Sequence, residues 1–380
     1  MDPGLTRAFE ALRLPEPTLW APGPHGLTPA VKGILEGYRA TYTHRSAPYR
    51  EVYAEATDLL RDLFSLPDGF VPLVFGHTAS YGWEMVAANT PAEYRTLGMD
   101  LGAFSGKWPD VFRRRGRSIE VLRAEWGEGI EIDRWEAALR GGCDLALITH
   151  NETSTGVALP VEAMCDTVRD GAPDALIAVD GVSIAGAIDL RFDNLRSDYY
   201  FWSLQKDFCL PAIGSVMVVS PRAIDIARQV LERGYVLDLV EWVDKAADRQ
   251  TPMTVPDLTL QCLVARLQEM HNEGDARFRR HEALARAQRE WARGQGLEVV
   301  AAAGYESPTV TAIRLPEGVL GSDFVATAQD LLNVQLAPGY GPMRDTAFRI
   351  AAMGTTSEAH MAQVLEGLSL ILRHWDSLKP

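Results

Sequence analysis

Cysteine is scarce in this chain. Cys143, Cys165, Cys209 and Cys262 are the only four among 380 residues, and no two form a CxxC pair. Neither a disulfide framework nor a clustered metal site is suggested, and a reducing, cytoplasmic setting is expected. Long apolar runs are missing as well, since none approaches the ~20 residues that span a bilayer. The opening Met1-Asp2-Pro3-Gly4-Leu5-Thr6-Arg7 lacks the apolar centre of a signal peptide. Basic charge is in deficit, with 37 Lys and Arg against 51 Asp and Glu and a formal net charge of −14. This excludes a general nucleic-acid or polyanion surface, so an anionic ligand needs a local basic pocket. There is no internal repeat and no low-complexity tract.

What is present is an alternation of apolar runs and helical periodicity, in a chain long enough for two domains. Helical spacing is read over 5–13, 28–39, 49–65 and 81–89, with Thr28 as N-cap and Pro29 at the first helical position. Strand-like runs fall at 71–75, 145–149, 175–179, 199–203 and 214–220. That order predicts an α/β fold with a mainly parallel sheet covered by helices on both faces. After about 257 the texture changes to one long charged helix over 257–294, then strands at 299–302, 309–315 and 348–350. Helices are expected near 322–332 and 357–373. Residues 16–257 are therefore read as a large domain, and 258–380 with 1–15 as a smaller α+β domain.

Ligands of open α/β sheets bind at the carboxyl ends of strands, so the turns after the runs carry the interest. Asp180 ends the run 175–179, and Gln205-Lys206 follow the run 199–203. An acid and an amine at neighbouring strand ends are compatible with ordinary structural pairing. They are also what pyridoxal phosphate needs, an amine for its aldehyde and an anion for its ring nitrogen. Gly76-His77-Thr78-Ala79-Ser80 is a small polar turn before a helix, suited to a phosphate but without P-loop or dinucleotide spacing. His150-Asn151-Glu152-Thr153-Ser154-Thr155-Gly156 is a dense hydrogen-bonding turn. Phe104 beside Gly102 is placed either to pack in the core or to stack on a flat ring. Arg349, inside the apolar run at 348–350, needs an anion, either a buried acid or a substrate carboxylate.

Taken jointly, these pieces resemble the class V aminotransferases of the fold-type-I pyridoxal-phosphate superfamily, and within them the phosphoserine aminotransferases. The matching pieces run in the family's order from about residue 19 to the C-terminus and include Thr43-His44-Arg45-Ser46, the turn at 150–156, Asp180-Gly181-Val182-Ser183, Gln205-Lys206 and the Arg349 strand. The resemblance implies that Lys206 binds the cofactor aldehyde and Asp180 the ring nitrogen. It puts Phe104 in the stacking position, where many relatives have Trp. Ala79, Ser80 and Gln205 match phosphate- and cofactor-binding positions, and Thr153 a hydrogen-bonding one. Gln250 and Thr251 match a loop that completes the phosphate site of the neighbouring subunit, which implies a homodimer with shared sites. His44, Arg45 and Arg349 match substrate-side positions.

Some family members grip a substrate phosphate with a His-Arg pair shortly before the C-terminal Arg strand. This chain has Gly339-Tyr340-Gly341-Pro342-Met343-Arg344 there. The main expectation is exchange between phosphoserine plus 2-oxoglutarate and 3-phosphohydroxypyruvate plus glutamate, in serine biosynthesis. The missing pair favours the alternative, another class V transaminase using serine or alanine with glyoxylate or pyruvate. A non-catalytic binding module is a further alternative, against which the intact Asp180 and Lys206 argue.

Overall fold

The computed structural model describes residues 2–39 and 42–378. Seven short segments form one sheet: β1 Val71–Phe75, β2 Thr96–Asp100, β3 Ile119–Arg123, β4 Leu145–Thr149, β5 Leu176–Asp180, β6 Tyr199–Ser203 and β7 Ser215–Val219. Their order across the sheet is β1-β7-β6-β5-β4-β2-β3. Strands β3, β2, β4, β5 and β6 are parallel, and β7 runs antiparallel to both β6 and β1. The fold is α/β with a mainly parallel seven-stranded sheet flanked by helices, as expected.

Successive side chains along β5 and β6 point to opposite faces. Ile177, Val179, Tyr200 and Trp202 join one core with Tyr53 and Phe64 of helix Ala47–Phe64 and Leu260 and Leu263 of helix Asp257–Glu273. Leu176, Ala178, Tyr199 and Phe201 join another with Met85, Trp108 and Trp242. Every residue of β4 to β7 is buried, so these strands read as unbroken apolar runs. Each large side chain buried here contributes roughly 1.5–3 kcal/mol. Helix Ser80–Ala88 approaches the sheet so closely that a β-carbon on Gly82 would lie 2.6 Å from the Phe201 ring. A side chain at 82 would lift this helix, and the turn before it, off the sheet.

Two strands escape the apolar pattern. Strand β2 carries Gly98 at its centre, where a β-carbon would lie 3.1 Å from Ile119 and 3.3 Å from Pro109. Strand β3 is the sheet edge, and its Glu120 and Arg123 are exposed.

A second core forms on a three-stranded antiparallel sheet of Val310–Arg314, Ala347–Ala351 and Ala337–Pro338. Helices Ala276–Gly294, Gly321–Leu332 and Glu358–Arg373 pack on it through Leu284, Phe324, Leu365 and Leu368, and the N-terminal helix Pro3–Leu12 adds Phe9.

Two local expectations are corrected. The single helix expected over 257–294 is two helices, broken where Gly274 takes φ +55°. The strand expected at 299–302 shrinks to one bridge between Val299 and Ile313, because the alanines that follow lack the β-branched bulk that fills a pleated face. Helix Asp257–Glu273 starts where the second domain was expected to start, yet its Leu260, Leu263, Leu267 and Met270 lie in the first core. Among the described residues, no helix is long and apolar enough to cross a membrane.

Candidate active site

The carboxyl ends of β1, β2, β4, β5 and β6 converge on a cavity of about 280 Å³. Its walls include Ala79, Ser80, Phe104, Thr153, Asp180, Gln205 and Lys206, so seven residues picked from sequence meet in one place. Trp83, Asn151, Val182 and Ser203 line it too and were not picked. Trp83 had a readable signal, since it lies one helical turn beyond Ala79.

Asp180 ends β5, where four buried residues before it carry it into the cavity wall. Its Oδ2 accepts from Trp83 Nε1 at 2.7 Å and its Oδ1 from Val182 N at 3.0 Å. Burial raises its pKa to about 6, and these two hydrogen bonds offset only part of that. Such a carboxylate is poised to meet a cation. Lys206, at the end of the β6 turn, is half-buried and donates through Nζ to Pro22 O. Burial, with Arg349 nearby, lowers its pKa to about 8, and Asp180 partly opposes the shift. Gly23 makes the close approach possible, because a β-carbon there would lie 2.3 Å from the Lys206 chain. Lys206 is thus an amine with an appreciable neutral fraction near neutral pH.

The polar turn after β4 faces the cavity through Asn151 and Thr153, as expected, and has a second job through Glu152. Glu152 is fully buried and points at the β2 turn. Its Oε2 accepts from Phe104 N at 3.0 Å, Ser105 N at 2.8 Å and Ser105 Oγ at 2.9 Å. Its Oε1 accepts from Ser154 N at 2.9 Å and Ser154 Oγ at 2.7 Å. These charge-assisted bonds fix the loop that aims the Phe104 ring. Thr153 and Asn151 both donate to Ser183 Oγ, at 2.8 and 2.7 Å.

Ala79 is buried, and its N–H donates to Ser203 Oγ at 3.3 Å. Helix Ser80–Ala88 has no side-chain N-cap, which leaves its first turn ready for an anion. Gln205 Oε1 and Asn151 Oδ1 are buried without a partner, although both residues line the cavity. Orphaned acceptors of this kind are uncommon without a ligand or water to satisfy them.

Arg349 is 8% exposed on strand Ala347–Ala351. Its Nε donates to Pro338 O at 3.1 Å and its Nη1 to Thr153 O at 3.3 Å. Among the described residues it forms no ion pair. Tyr340 lies over it, with the guanidinium carbon 5.4 Å from the ring centre. The Tyr340 ring also meets Phe104 at 5.5 Å, and its hydroxyl accepts from the Lys107 ammonium at 2.9 Å.

Four of the expected site residues lie elsewhere in the chain. Arg45 Nη1 donates to Gln250 Oε1 at 2.7 Å and to Thr251 O at 3.1 Å. His44 Nδ1 lies 3.3 Å from Thr254 Oγ1, and Thr251 Oγ1 lies 3.2 Å from the Tyr49 hydroxyl. None of the four lines the cavity. The structure brings them together as one polar cluster and gives the loop at 250–251 local partners that sequence reasoning did not see.

Pyridoxal phosphate carries an aldehyde for Lys206, a ring nitrogen for Asp180, a flat face for Phe104 and an anion for the uncapped helix. The residues present fit it, and the fold and cavity define a pyridoxal-phosphate enzyme. Residues 42–260 match the family model described as Aminotransferase class-V, and the chain belongs to that family. An L-aspartate–glyoxylate aminotransferase of Paracoccus denitrificans is 28% identical over 349 residues, covering 90% of this chain and 87% of that one. A serine–glyoxylate aminotransferase of Methylorubrum extorquens is 28% identical over 366 residues, covering 93% and 90%. A solved phosphoserine aminotransferase of Cytophaga hutchinsonii superposes with TM-score 0.84 at 25% identity, over 93% of this chain and 98% of that one.

Proposed function

We propose that this aminotransferase moves the amino group of a small amino acid, of the serine, alanine or aspartate kind, to glyoxylate or a closely related 2-oxo acid. The observation that carries this reading is Arg349, a buried guanidinium beside the Lys206 cavity with no acid of its own. Its planar fork matches an α-carboxylate and sets the orientation that proton removal needs. The two curated relatives named above act with glyoxylate, and this supports the acceptor. The phosphoserine expectation is not supported. No His-Arg pair stands at 339–344, and Arg45, the distal anion reader expected for it, is engaged by Gln250 and the Thr251 carbonyl.

Bound pyridoxal phosphate supplies the electron sink that makes an amino-acid α-proton removable. Lys206 Nζ takes that proton and gives it back, a task matched to an amine whose pKa burial has lowered. Asp180 holds positive charge on the ring nitrogen, and Trp83 and Val182 hold Asp180. Phe104, its loop held by Glu152, would offer its ring to the cofactor's flat face. His44, Arg45, Gln250 and Thr251, gathered outside the protomer's own cavity, support a homodimer in which this cluster serves the neighbouring site.

The test is glycine formation from glyoxylate by the loaded enzyme, with serine, alanine, aspartate and phosphoserine as donors. The reading expects a small donor to outpace phosphoserine by about tenfold or more, the range that a missing charged contact sets. Preference for phosphoserine with 2-oxoglutarate would restore the alternative.

A further inference from the structure

The residue after Lys206 is a buried acid that the chemistry above leaves unused. Asp207 has no exposed surface, and a buried carboxylate is costly unless it is paired. Its Oδ1 accepts from His281 Nε2 at 2.6 Å and from Gly354 N at 2.7 Å. The other imidazole nitrogen, Nδ1, lies 2.6 Å from Arg277 O. The imidazole is thus held at both ring nitrogens, between the Asp207 carboxylate and the Arg277 carbonyl. Burial pushes the Asp207 pKa up, but His281 and Arg266 overcome it and hold the group at about 2.

The partners' places in the fold give the pair its meaning. Asp207 belongs to the β6 turn and adjoins Lys206 in the chain. His281 stands on helix Ala276–Gly294, and Gly354 lies three residues beyond strand Ala347–Ala351, which carries Arg349. One carboxylate oxygen therefore ties the proton-transfer amine of the first unit to the carboxylate-binding strand of the second. We propose that Asp207 is a positioning residue: with His281 and the Gly354 amide it fixes Lys206 relative to Arg349, so that a donor held by its carboxylate presents its α-proton to the amine.

An amide side chain in place of this carboxylate cannot reproduce the arrangement. In one orientation the amide NH₂ stands where that oxygen was and meets the Gly354 N–H donor to donor. In the other the oxygen keeps its place but is neutral and accepts more weakly than a carboxylate. Either way one arm of the tether weakens.

The inference rests on the roles given above to Lys206 and Arg349, so its test has a readout independent of turnover. Hydrogen exchange at the Gly354 amide is measured on the cofactor-free full chain, in wild type and Asp207→Asn. On the loaded enzyme, KM and kcat are measured for serine, alanine and aspartate. The expected result is amide exchange faster by about tenfold or more, with KM for every donor raised about tenfold at unchanged cofactor content. Unchanged exchange, or a fall in kcat with KM unmoved, overturns the proposal. If Asp207→Asn does not fold, His281→Gln decides on the same two readouts. Its amide still donates to Asp207, so smaller shifts in the same direction are expected and unmoved values overturn the proposal. Exchange is read whether or not the wild type transaminates, so the two readings fail separately.

Discussion

Asp180→Asn is the substitution whose effect can be worked furthest from the structure. The carboxylate accepts from Trp83 and Val182, and an amide offers only one oxygen for those two donors. One donor is left unpaired, at about 1–3 kcal/mol independent of pH. The charge adds a term that depends on pH. Burial raises the folded pKa from 3.8 to about 6, so the cofactor-free fold binds this proton more tightly than the unfolded chain does. The stability linked to that proton is full below the unfolded pKa and is lost as pH rises through about 6. A shift of this size corresponds to about 3 kcal/mol, which Asp180→Asn does not lose. The variant's melting temperature, measured without cofactor and relative to wild type, should therefore climb by several degrees between pH 4.5 and 7.5, roughly the pH range that a carboxylate raised in this way spans. In the loaded enzyme the sign reverses, because the carboxylate has a cation to hold. There Asp180→Asn should slow single-turnover proton removal by ~10²-fold or more. A melting difference that does not change with pH, together with near-wild-type turnover, would refute the reasoning.

Other outcomes follow from the same site. Borohydride reduction of the loaded enzyme and peptide mapping should label Lys206, and a label on Lys107 or Lys245 would remove Lys206 from its role. Arg349→Ala should raise KM for every donor by about 10²-fold, the usual scale for a charged hydrogen-bond pair, and a loss confined to one donor would contradict an α-carboxylate role. Glu152→Gln leaves backbone donors of the Phe104 loop short of an acceptor, so cofactor affinity should fall about tenfold at little change in kcat per loaded site. Unchanged affinity would show that the loop is held by other means. Activity per protomer should fall on dilution if the Arg45–Gln250 cluster serves a neighbouring copy, and a monomer with full activity would exclude the shared site.

Much of the fold could be read directly because the central strands are buried on both faces. An uninterrupted run such as Tyr199-Tyr200-Phe201-Trp202 leaves little else to be. Strands β2 and β3 were not legible, since Gly98 interrupts one and the other alternates charge at the sheet edge. The break at Asn272-Glu273-Gly274-Asp275 was passed over because charged, Ala-rich helical segments run up to it on both sides. At the site, Asp180 and Lys206 stood out because charge at the end of an apolar run demands a partner. Glu152 and Asp207 did not, since apart from Ser154 beside Glu152 their partners lie 47 or more residues away and include backbone amides that leave no mark in the sequence. The resemblance to phosphoserine aminotransferases conveyed the fold and the cofactor but not the substrate.

The central claim is that Lys206, Asp180 and Arg349 carry out transamination on a small amino donor. A single-turnover half-reaction tests it most directly. The loaded enzyme is mixed with one donor and no acceptor, and the absorbance of the lysine-bound cofactor is followed while the keto acid is quantified. The account predicts stoichiometric loss of that band and one keto acid per site with serine, alanine or aspartate, faster than with phosphoserine. A band unmoved by all four donors, in an enzyme labelled at Lys206, would contradict it.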